Sequence, residues 1–181
     1  KGVSEIISNN NEKIVMDKNS AKKLANKLQN KIPSVFTTNL ALGMRWKGQI
    51  NENAKMMAVY DVFPETMHNT VQGFESKRVL DQEFIILRLS NDSTEIIDKM
   101  SYSLDIAHDD IDISTHILHF QQDKFISSIL SATIFGDYVS LYLAFLQNLD
   151  PSEIRLIMNM KDHFGPKLEK EFDIEKAFFE L

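Results

Sequence analysis

The segment EFIILRLSNDSTEIIDKMSYSL, residues 83–104, contains the two patterns that decide the fold. Its first seven residues, EFIILRL, form an apolar run typical of a buried strand, and the SNDST that follows is typical of a turn and a helix cap. The remainder, EIIDKMSYSL, is helical in character. The segment therefore predicts a strand that passes through a short turn into a helix, which is the repeating unit of α/β domains.

Two more strands are predicted, one on each side of this unit along the chain. SVFTT, residues 34–38, is a short β-rich run, and ISTHILHF, residues 113–120, is the other candidate. We place the strands near residues 33–37, 83–89 and 113–119. Strands that alternate with helices form a parallel sheet covered on both faces, so the expected fold class is α/β, a three-layer α/β/α sandwich. Ligands of such sheets gather at the C-terminal ends of the strands.

The first two helices are predicted from caps and apolar spacing. NSAKKLANKLQNKI begins where Asn19 or Ser20 can cap a helix, and Pro33 stops it. NLALGMRWKGQINENAK, residues 39–55, is the second helix. Its apolar residues recur every four positions and form one face directed to the core. They are Leu42, Trp46, Ile50 and Ala54.

The last third of the chain is also predicted to be helical. Residues 124–148 are apolar and mostly helical, with a break near Gly136. DPSEIRLIMNMKDHFG follows, with Asp150 as its N-cap and proline at the first helical position, and Gly165 ends it. Residues 166–181 form a short helical extension.

Length and composition indicate one globular domain. The 181 residues suffice for a sizeable core, and 43% apolar with 25% charged residues is ordinary for this class. We expect residues 1–18 to be a linker or the end of an upstream domain, and residues 19–165 to form the domain itself. Because Lys1 stands where a natural start has Met, we expect a fragment or a processed product.

Charge and cysteine content exclude several functions. The net charge of −6 gives no general attraction for nucleic acid. No apolar run approaches the ~18 residues of a membrane helix, so we expect no membrane partner. The chain has no cysteine, which excludes disulfides, thiolate chemistry and cysteine-type zinc sites and suits a cytoplasmic protein.

The candidate functional segment is WKGQINENAKMMAVYDVFPETMHNT, residues 46–70, which sets three proton-transferring side chains close together. Glu52 and Lys55 fall at the end of the second helix, and His68 falls in the loop after a proline. His has the side chain whose ordinary pKa lies nearest neutrality. The segment is either a solvated surface or part of an active site.

Glu52 shares a polar stripe of its helix with Arg45, Gln49 and Lys55. In one interpretation this is a solvated face with a Glu52–Lys55 ion pair at i, i+3, which contributes ~0.2–0.5 kcal/mol. In the other, Glu52 is a general base at the C-terminal end of the helix. Lys161, in NMKDHF, falls near the end of its own helix, where a cation is favourable without any catalytic role.

Other polar groups carry weaker predictions. His116 and His119 point to opposite faces of a strand, so they do not share a metal. His108 in HDDID fits a solvated turn better than a metal site. SNDST follows a strand and could hold a phosphate at a helix N-terminus, but it lacks glycine. Asp137 is a charge within an apolar run, so it needs a partner or an exposed edge.

Three segments resemble one known family. RWKGQINENAK, PETMHNTVQGF and GDYVSLYLAFLQNLDPSEIRLIMNMK occur in the order found in the C-terminal half of the bifunctional phosphoglucose/phosphomannose isomerases. These enzymes are built from two sugar-isomerase (SIS) domains of flavodoxin-like α/β/α architecture. The likeness runs from about residue 19 to residue 165. NSAKKLANKLQNKIPSVF also looks like the family's lead into the second domain.

The resemblance implies an aldose–ketose isomerase that interconverts glucose 6-phosphate, mannose 6-phosphate and fructose 6-phosphate without metal or other cofactor. It implies that Glu52 moves the proton between C1 and C2 through an enediol, and that His68 and Lys161 assist ring opening. Arg45 and Asn69 are expected to bind the substrate. The family's His reaches the site of the partner subunit, which implies a homodimer.

One departure from the family pattern keeps the interpretations open. The family's phosphate-binding Ser/Thr loops lie mainly in the N-terminal SIS domain, so an upstream SIS domain is the expected partner. The chain is then the C-terminal domain of a sugar-phosphate isomerase. The alternatives are a non-catalytic SIS module that binds a sugar phosphate, and a dimerisation module whose polar residues are only surface.

Overall fold

The computed structural model describes residue 4 and residues 19–73, 75, 81–110 and 113–171. The predicted linker over residues 1–18 therefore lies outside the described residues, apart from Ser4. The chain divides into two compact units, residues 1–151 and residues 152–181, and each is described by itself.

The described part of the first unit contains one sheet of four parallel strands. The order of the strands is β2-β1-β3-β4, so the chain moves outward from β1 to β2 and then continues on the other side of β1. The parallel sheet and its three predicted strands are confirmed. A fourth strand, β2, was not predicted because its four residues are too few to show a pattern. The strands are β1 Ile32–Thr37, β2 Val59–Val62, β3 Gln82–Leu89 and β4 Thr115–Phe120.

Helices connect the strands and follow the last of them. A short 3-10 helix, Glu65–Met67, lies between β2 and the small helix α3. The α-helices are α1 Ser20–Leu28, α2 Leu40–Ala54, α3 Thr70–Gly73, α4 Thr94–Asp110, α5 Phe125–Leu146 and α6 Arg155–Glu171. Asn19 caps α1, because its side-chain oxygen accepts the Lys22 N–H at 2.9 Å.

The sheet has a core on each face, which confirms the three-layer α/β/α arrangement. One core lies between the sheet and α1, α2 and α5, and the apolar face predicted for α2 is buried in it. The other core contains Phe36, Phe84 and Ile86 from the strands and Met100 from α4. The segment after β2 also packs on this second face, through Phe63 and its neighbours.

Helix α5 is continuous through Gly136, so the predicted break there is wrong. The glycine lies against the Trp46 ring of α2, and a Cβ added to it would come within 2.6 Å of that ring. The Trp46 Nε1–H donates to the Ala132 carbonyl of α5 at 3.0 Å, and the ring stacks on Phe135. Gly136 therefore serves the close approach of two helices and does not interrupt one.

The bounds predicted for α6 are wrong at both ends. The helix begins at Arg155, because Pro151 is part of a turn, and the carbonyls of Asp150 and Pro151 accept hydrogen bonds from Lys55. It continues through Gly165, where an interior glycine costs only ~1 kcal/mol relative to alanine.

The expectation that no segment approaches the length of a membrane-spanning helix is wrong for helix α5. Its 22 residues are apolar enough on average to cross a membrane by length and composition. Interspersed serines and one aspartate hid this in the sequence. Such a helix is weak evidence for a membrane, because α5 also packs on α1, α2 and the sheet as a core helix.

Candidate functional site

Glu52 lies in the last turn of α2 and is exposed to solvent. Since α2 follows β1 and precedes the parallel strand β2, this turn is at the amino edge of the sheet. The general rule that ligands gather at the carboxyl edge therefore does not describe Glu52. Among the described residues, no hydrogen bond or ion pair engages its carboxylate, which leaves that carboxylate available to a ligand.

Two shallow depressions meet at Glu52. One, of about 380 Å³, is lined by Ala41, Met44, Arg45, Gly48, Gln49 and Glu52. The other, of about 370 Å³, is lined by Met44, Lys47, Gly48, Asn51, Glu52 and Tyr60. Arg45, Gln49 and Glu52 thus share one surface, as the spacing predicts. Tyr60 was not predicted, because it belongs to the strand that the sequence did not reveal. Lys47 was not predicted, because it is outside the helical spacing of Arg45, Gln49 and Glu52.

The predicted ion pair between Glu52 and Lys55 is replaced by another contact. Lys55 Nζ donates to the main-chain oxygens of Glu52 at 2.9 Å and Asn53 at 3.3 Å. It also donates to those of Asp150 at 2.9 Å and Pro151 at 3.2 Å. The ammonium group thus binds the end of the helix, where the helix dipole is negative, and does not bind the carboxylate.

Arg45 is held by neighbours on α2 and α5. Its Nη2 lies 3.1 and 3.2 Å from the two carboxylate oxygens of Asp137, so Arg45 is the partner that Asp137 requires. With the Gln49 amide oxygen turned toward it, the guanidinium also donates to Gln49 at 2.8 and 3.0 Å. Both ionic groups are partly exposed, so the pair contributes ~0–1 kcal/mol.

His68 and Asn69 lie on the other side of the sheet from Glu52. His68 is exposed, directly after the 3-10 helix, and its N–H donates to the Glu65 carbonyl at 2.9 Å. Asn69 Nδ2 donates to Glu65 Oε1 at 2.7 Å, and Asn69 contributes to a cleft of about 410 Å³. This segment packs on the face that carries α4, whereas α2 packs on the opposite face. Within one chain, Glu52 is therefore on one face of the sheet, and His68 and Asn69 are on the other.

Lys161 belongs to the second compact unit, where it is exposed on α6. Because α6 runs from Arg155 to Glu171, Lys161 lies in the first half of the helix. The explanation of Lys161 as a cation at a helix C-terminus is therefore wrong.

The SNDST turn follows β3 at the carboxyl edge of the sheet, beside the residues that follow β1. A crevice of about 270 Å³ is present there. Asp92 Oδ1 accepts the Thr38 hydroxyl at 2.6 Å, and Asp92 Oδ2 accepts the Leu89 N–H at 2.7 Å. A carboxylate thus occupies donors that a phosphate needs, which adds to the weakness of this segment as a phosphate site.

Two of the remaining titratable candidates, His116 and His119, lie on β4. His116 and His119 align with Ile85 and Arg88 of β3, three residues apart, and so point to opposite faces as predicted. His116 Nε2 lies 2.7 Å from Glu83 Oε1. The predicted turn at His108 is wrong, because α4 continues through that position. In the described part of the chain, no group of His, Asp and Glu could hold a metal ion.

The parallel α/β/α sandwich is a fold that several classes of protein share, so the class of this chain follows from its relatives. A glucose-6-phosphate isomerase-like protein from Thermus thermophilus has this fold, with a TM-score of 0.69 at 15% identity. The match covers 86% of this chain and 53% of that one. Residues 17–164 match the bacterial phospho-glucose isomerase C-terminal SIS domain, and the chain belongs to that family.

Two relatives are bifunctional phosphoglucose/phosphomannose isomerases, as the sequence motifs indicate. The protein from Caldicellulosiruptor bescii is 34% identical over 151 residues, which cover 81% of this chain and 44% of that protein. The one from Aquifex aeolicus is 29% identical over 150 residues, 80% of this chain and 46% of that protein. The chain thus spans about half the length of these relatives.

Proposed function

We propose that this chain supplies the catalytic glutamate of a sugar-phosphate aldose–ketose isomerase. Family membership supports a sugar-phosphate isomerase, and the names of the relatives favour glucose 6-phosphate or mannose 6-phosphate and fructose 6-phosphate as substrates. The observation that carries the role of Glu52 is its exposed carboxylate, which no described residue binds, at the junction of two depressions.

In the proposed reaction the Glu52 carboxylate takes the proton from C2 of the open-chain aldose. The resulting enediol receives that proton at C1, and in the course of the reaction O1 gains a proton and O2 loses one. The product is the ketose, and the substrate keeps all its atoms. A positioned carboxylate contributes roughly 10²–10⁴-fold in rate as a general base. His68 and Lys161 transfer protons at the ring oxygen and O1 during ring opening, and Asn69 binds the substrate.

Arg45 is the proposed substrate-binding group on the Glu52 side. Asp137 and Gln49 hold its guanidinium beside the depression that Glu52 lines. A cation fixed at this place favours the negative charge that develops on the enediol oxygens.

The separation of the candidate residues supports a homodimer. Glu52 is on the α2 face of the sheet, and His68 follows a segment that packs on the α4 face. A site that uses both is most simply formed when His68 comes from a partner subunit. Helix α5 also exposes Ile126 and Leu130, although its other side is in the core. An apolar exposed side is the kind of surface that a partner covers.

An upstream SIS domain is the proposed source of the phosphate site. The chain spans about half the length of its relatives, and Asp92 occupies the donors of its own carboxyl-edge crevice. We also propose that the enzyme is cytoplasmic, in keeping with the metabolic names of the relatives.

The competing proposal is a non-catalytic SIS module that binds a sugar phosphate or mediates dimerisation. The exposed Glu52 is then only a solvated side chain. The two proposals differ in what neutralising that carboxylate does to turnover and to binding.

The test uses the full-length gene product that carries this chain. Glu52→Gln should abolish conversion of fructose 6-phosphate to glucose 6-phosphate, measured with a coupled dehydrogenase, while fructose 6-phosphate still binds in calorimetry. Gln keeps the shape of the Glu side chain, but its neutral amide cannot take a proton from the substrate. Glu153→Gln, at another exposed glutamate, is the matched control and should keep wild-type turnover. Wild-type turnover by Glu52→Gln would support the non-catalytic module.

A further inference from the structure

We propose that Lys55 is a positioning residue for Glu52. Its ammonium group ties the last turn of α2 to the turn after α5 and thereby sets the place of the Glu52 carboxylate. The inference rests on the proposed function of Glu52, and it gives Lys55 a role other than the ion pair with Glu52.

The contacts of Lys55 converge from two parts of the chain. Two acceptors, the carbonyls of Glu52 and Asn53, belong to the end of α2. The other two, the carbonyls of Asp150 and Pro151, belong to the turn after α5. An ammonium has three donors, so four carbonyl oxygens at 2.9–3.3 Å use all of its hydrogen-bonding capacity.

The backbone of Lys55 makes this geometry accessible. Its φ of 54° is in the left-handed region, which ends the helix and turns the side chain back over the last carbonyls. These carbonyls have no partner within the helix, and the helix dipole places partial negative charge on them. A lysine that bonds them both caps α2 and neutralises its end.

Two further side chains complete the attachment. Gln147 Nε2 donates to the Ala54 carbonyl at 3.2 Å, and Asn53 Nδ2 donates to the Ser140 hydroxyl of α5 at 2.8 Å. With Lys55, these contacts engage three of the last four carbonyls of α2. The turn that carries Glu52 is thus fixed to α5 and to the segment after it.

Two consequences for the reaction follow. The contacts of Lys55 stabilise the last turn against fraying. A displacement of about 1 Å at a reacting group can cost roughly 10²-fold in rate. In addition, the ammonium is kept on main-chain oxygens and away from the Glu52 carboxylate, so the base is not tied up in an ion pair with its own neighbour.

The test again uses the full-length gene product. Lys55→Met keeps the length of the side chain and the left-handed backbone but removes the donors and the charge. We expect a fall in kcat of roughly 10- to 100-fold with KM changed less than about threefold. Lys55→Arg, which keeps charge and donors, should recover most of kcat. Lys23→Met, at an exposed lysine of α1, makes the same chemical change elsewhere and should leave kcat and KM unchanged.

The outcomes are distinguishable. Wild-type kcat in Lys55→Met overturns the positioning role and leaves the function of Glu52 intact. A raised KM with unchanged kcat also overturns it, since Lys55 would then bind substrate. Full activity of Glu52→Gln instead removes the proposed function itself. If Lys55→Met does not fold by circular dichroism, Lys55→Gly, which fits the left-handed backbone and also removes the donors and the charge, takes its place under the same criteria.

Discussion

Gly136→Ala tests how closely α2 and α5 pack. An added Cβ would lie 2.6 Å from Cε2, 2.8 Å from Nε1 and 2.9 Å from Cδ2 of the Trp46 ring. Trp46 is 1% exposed, so the ring has no solvent-filled space into which it can move. Real contacts of this kind exceed 3.0 Å, so either the ring or the helix must shift.

The magnitude follows from three contributions. Overpacking a core costs about 1–3 kcal/mol. Displacement of the ring also weakens its hydrogen bond to Ala132, which contributes about 0.5–1.5 kcal/mol. Replacing glycine by alanine inside a helix returns about 1 kcal/mol. The expected net loss is about 0.5–3.5 kcal/mol of the free energy of unfolding. For a chain of this size, each kcal/mol lowers Tm by roughly 2–4 °C.

The assay is urea unfolding followed by Trp46 fluorescence, with Gly48→Ala as the control. Gly48 is likewise inside a helix, in its case α2, but a Cβ there meets no atom within 4 Å. Gly48→Ala should therefore stabilise the protein by about 0.5–1 kcal/mol. A Gly136→Ala variant as stable as wild type would refute the close packing of α2 on α5.

Two further predictions concern ionic contacts outside the site. His116→Ala leaves the Glu83 carboxylate, which is 5% exposed, without its 2.7 Å partner, and should cost about 1–3 kcal/mol in urea unfolding. His119→Ala, at an exposed position of the same strand, should cost less than about 0.5 kcal/mol, and equal losses would contradict the assignment. The hydrogen bond and charge of Lys99 hold the pKa of Glu95 below its usual range. The contact therefore stabilises the folded state at pH values above the pKa that Glu95 has in the unfolded chain. This stabilisation is lost as the pH falls through the lower pKa of the folded state. In an NMR titration Glu95 should titrate at higher pH in Lys99→Met, and an unchanged midpoint would contradict this cause.

Much of the fold could be predicted because its signals are local. The strand at 83–89 is a continuous apolar run, and the buried face of α2 repeats every four residues. Strand β2 was missed because Val59–Val62 is a short edge strand with partial exposure and no alternation. The predicted break at Gly136 failed because its cause is tertiary, the Trp46 ring of another helix.

In the candidate site, too, local features could be predicted from the sequence and long-range contacts could not. The shared surface of Arg45, Gln49 and Glu52 follows from helical spacing alone. The contacts of Lys55 could not be predicted, because two of its acceptors lie 95 and 96 residues away and the others are main-chain oxygens. Asp137 within an apolar run indicated that a partner was needed, but only the fold identifies Arg45.

Proton exchange at the reacting carbon tests the central claim most directly. The full-length gene product is incubated with fructose 6-phosphate in D₂O, and deuterium at C1 is followed by proton NMR. If Glu52 carries the proton between C1 and C2, the wild-type enzyme and Glu153→Gln should both incorporate deuterium as they isomerise. Glu52→Gln should show neither exchange nor isomerisation. Exchange in Glu52→Gln at the wild-type rate would contradict the account, because another group would then be the base.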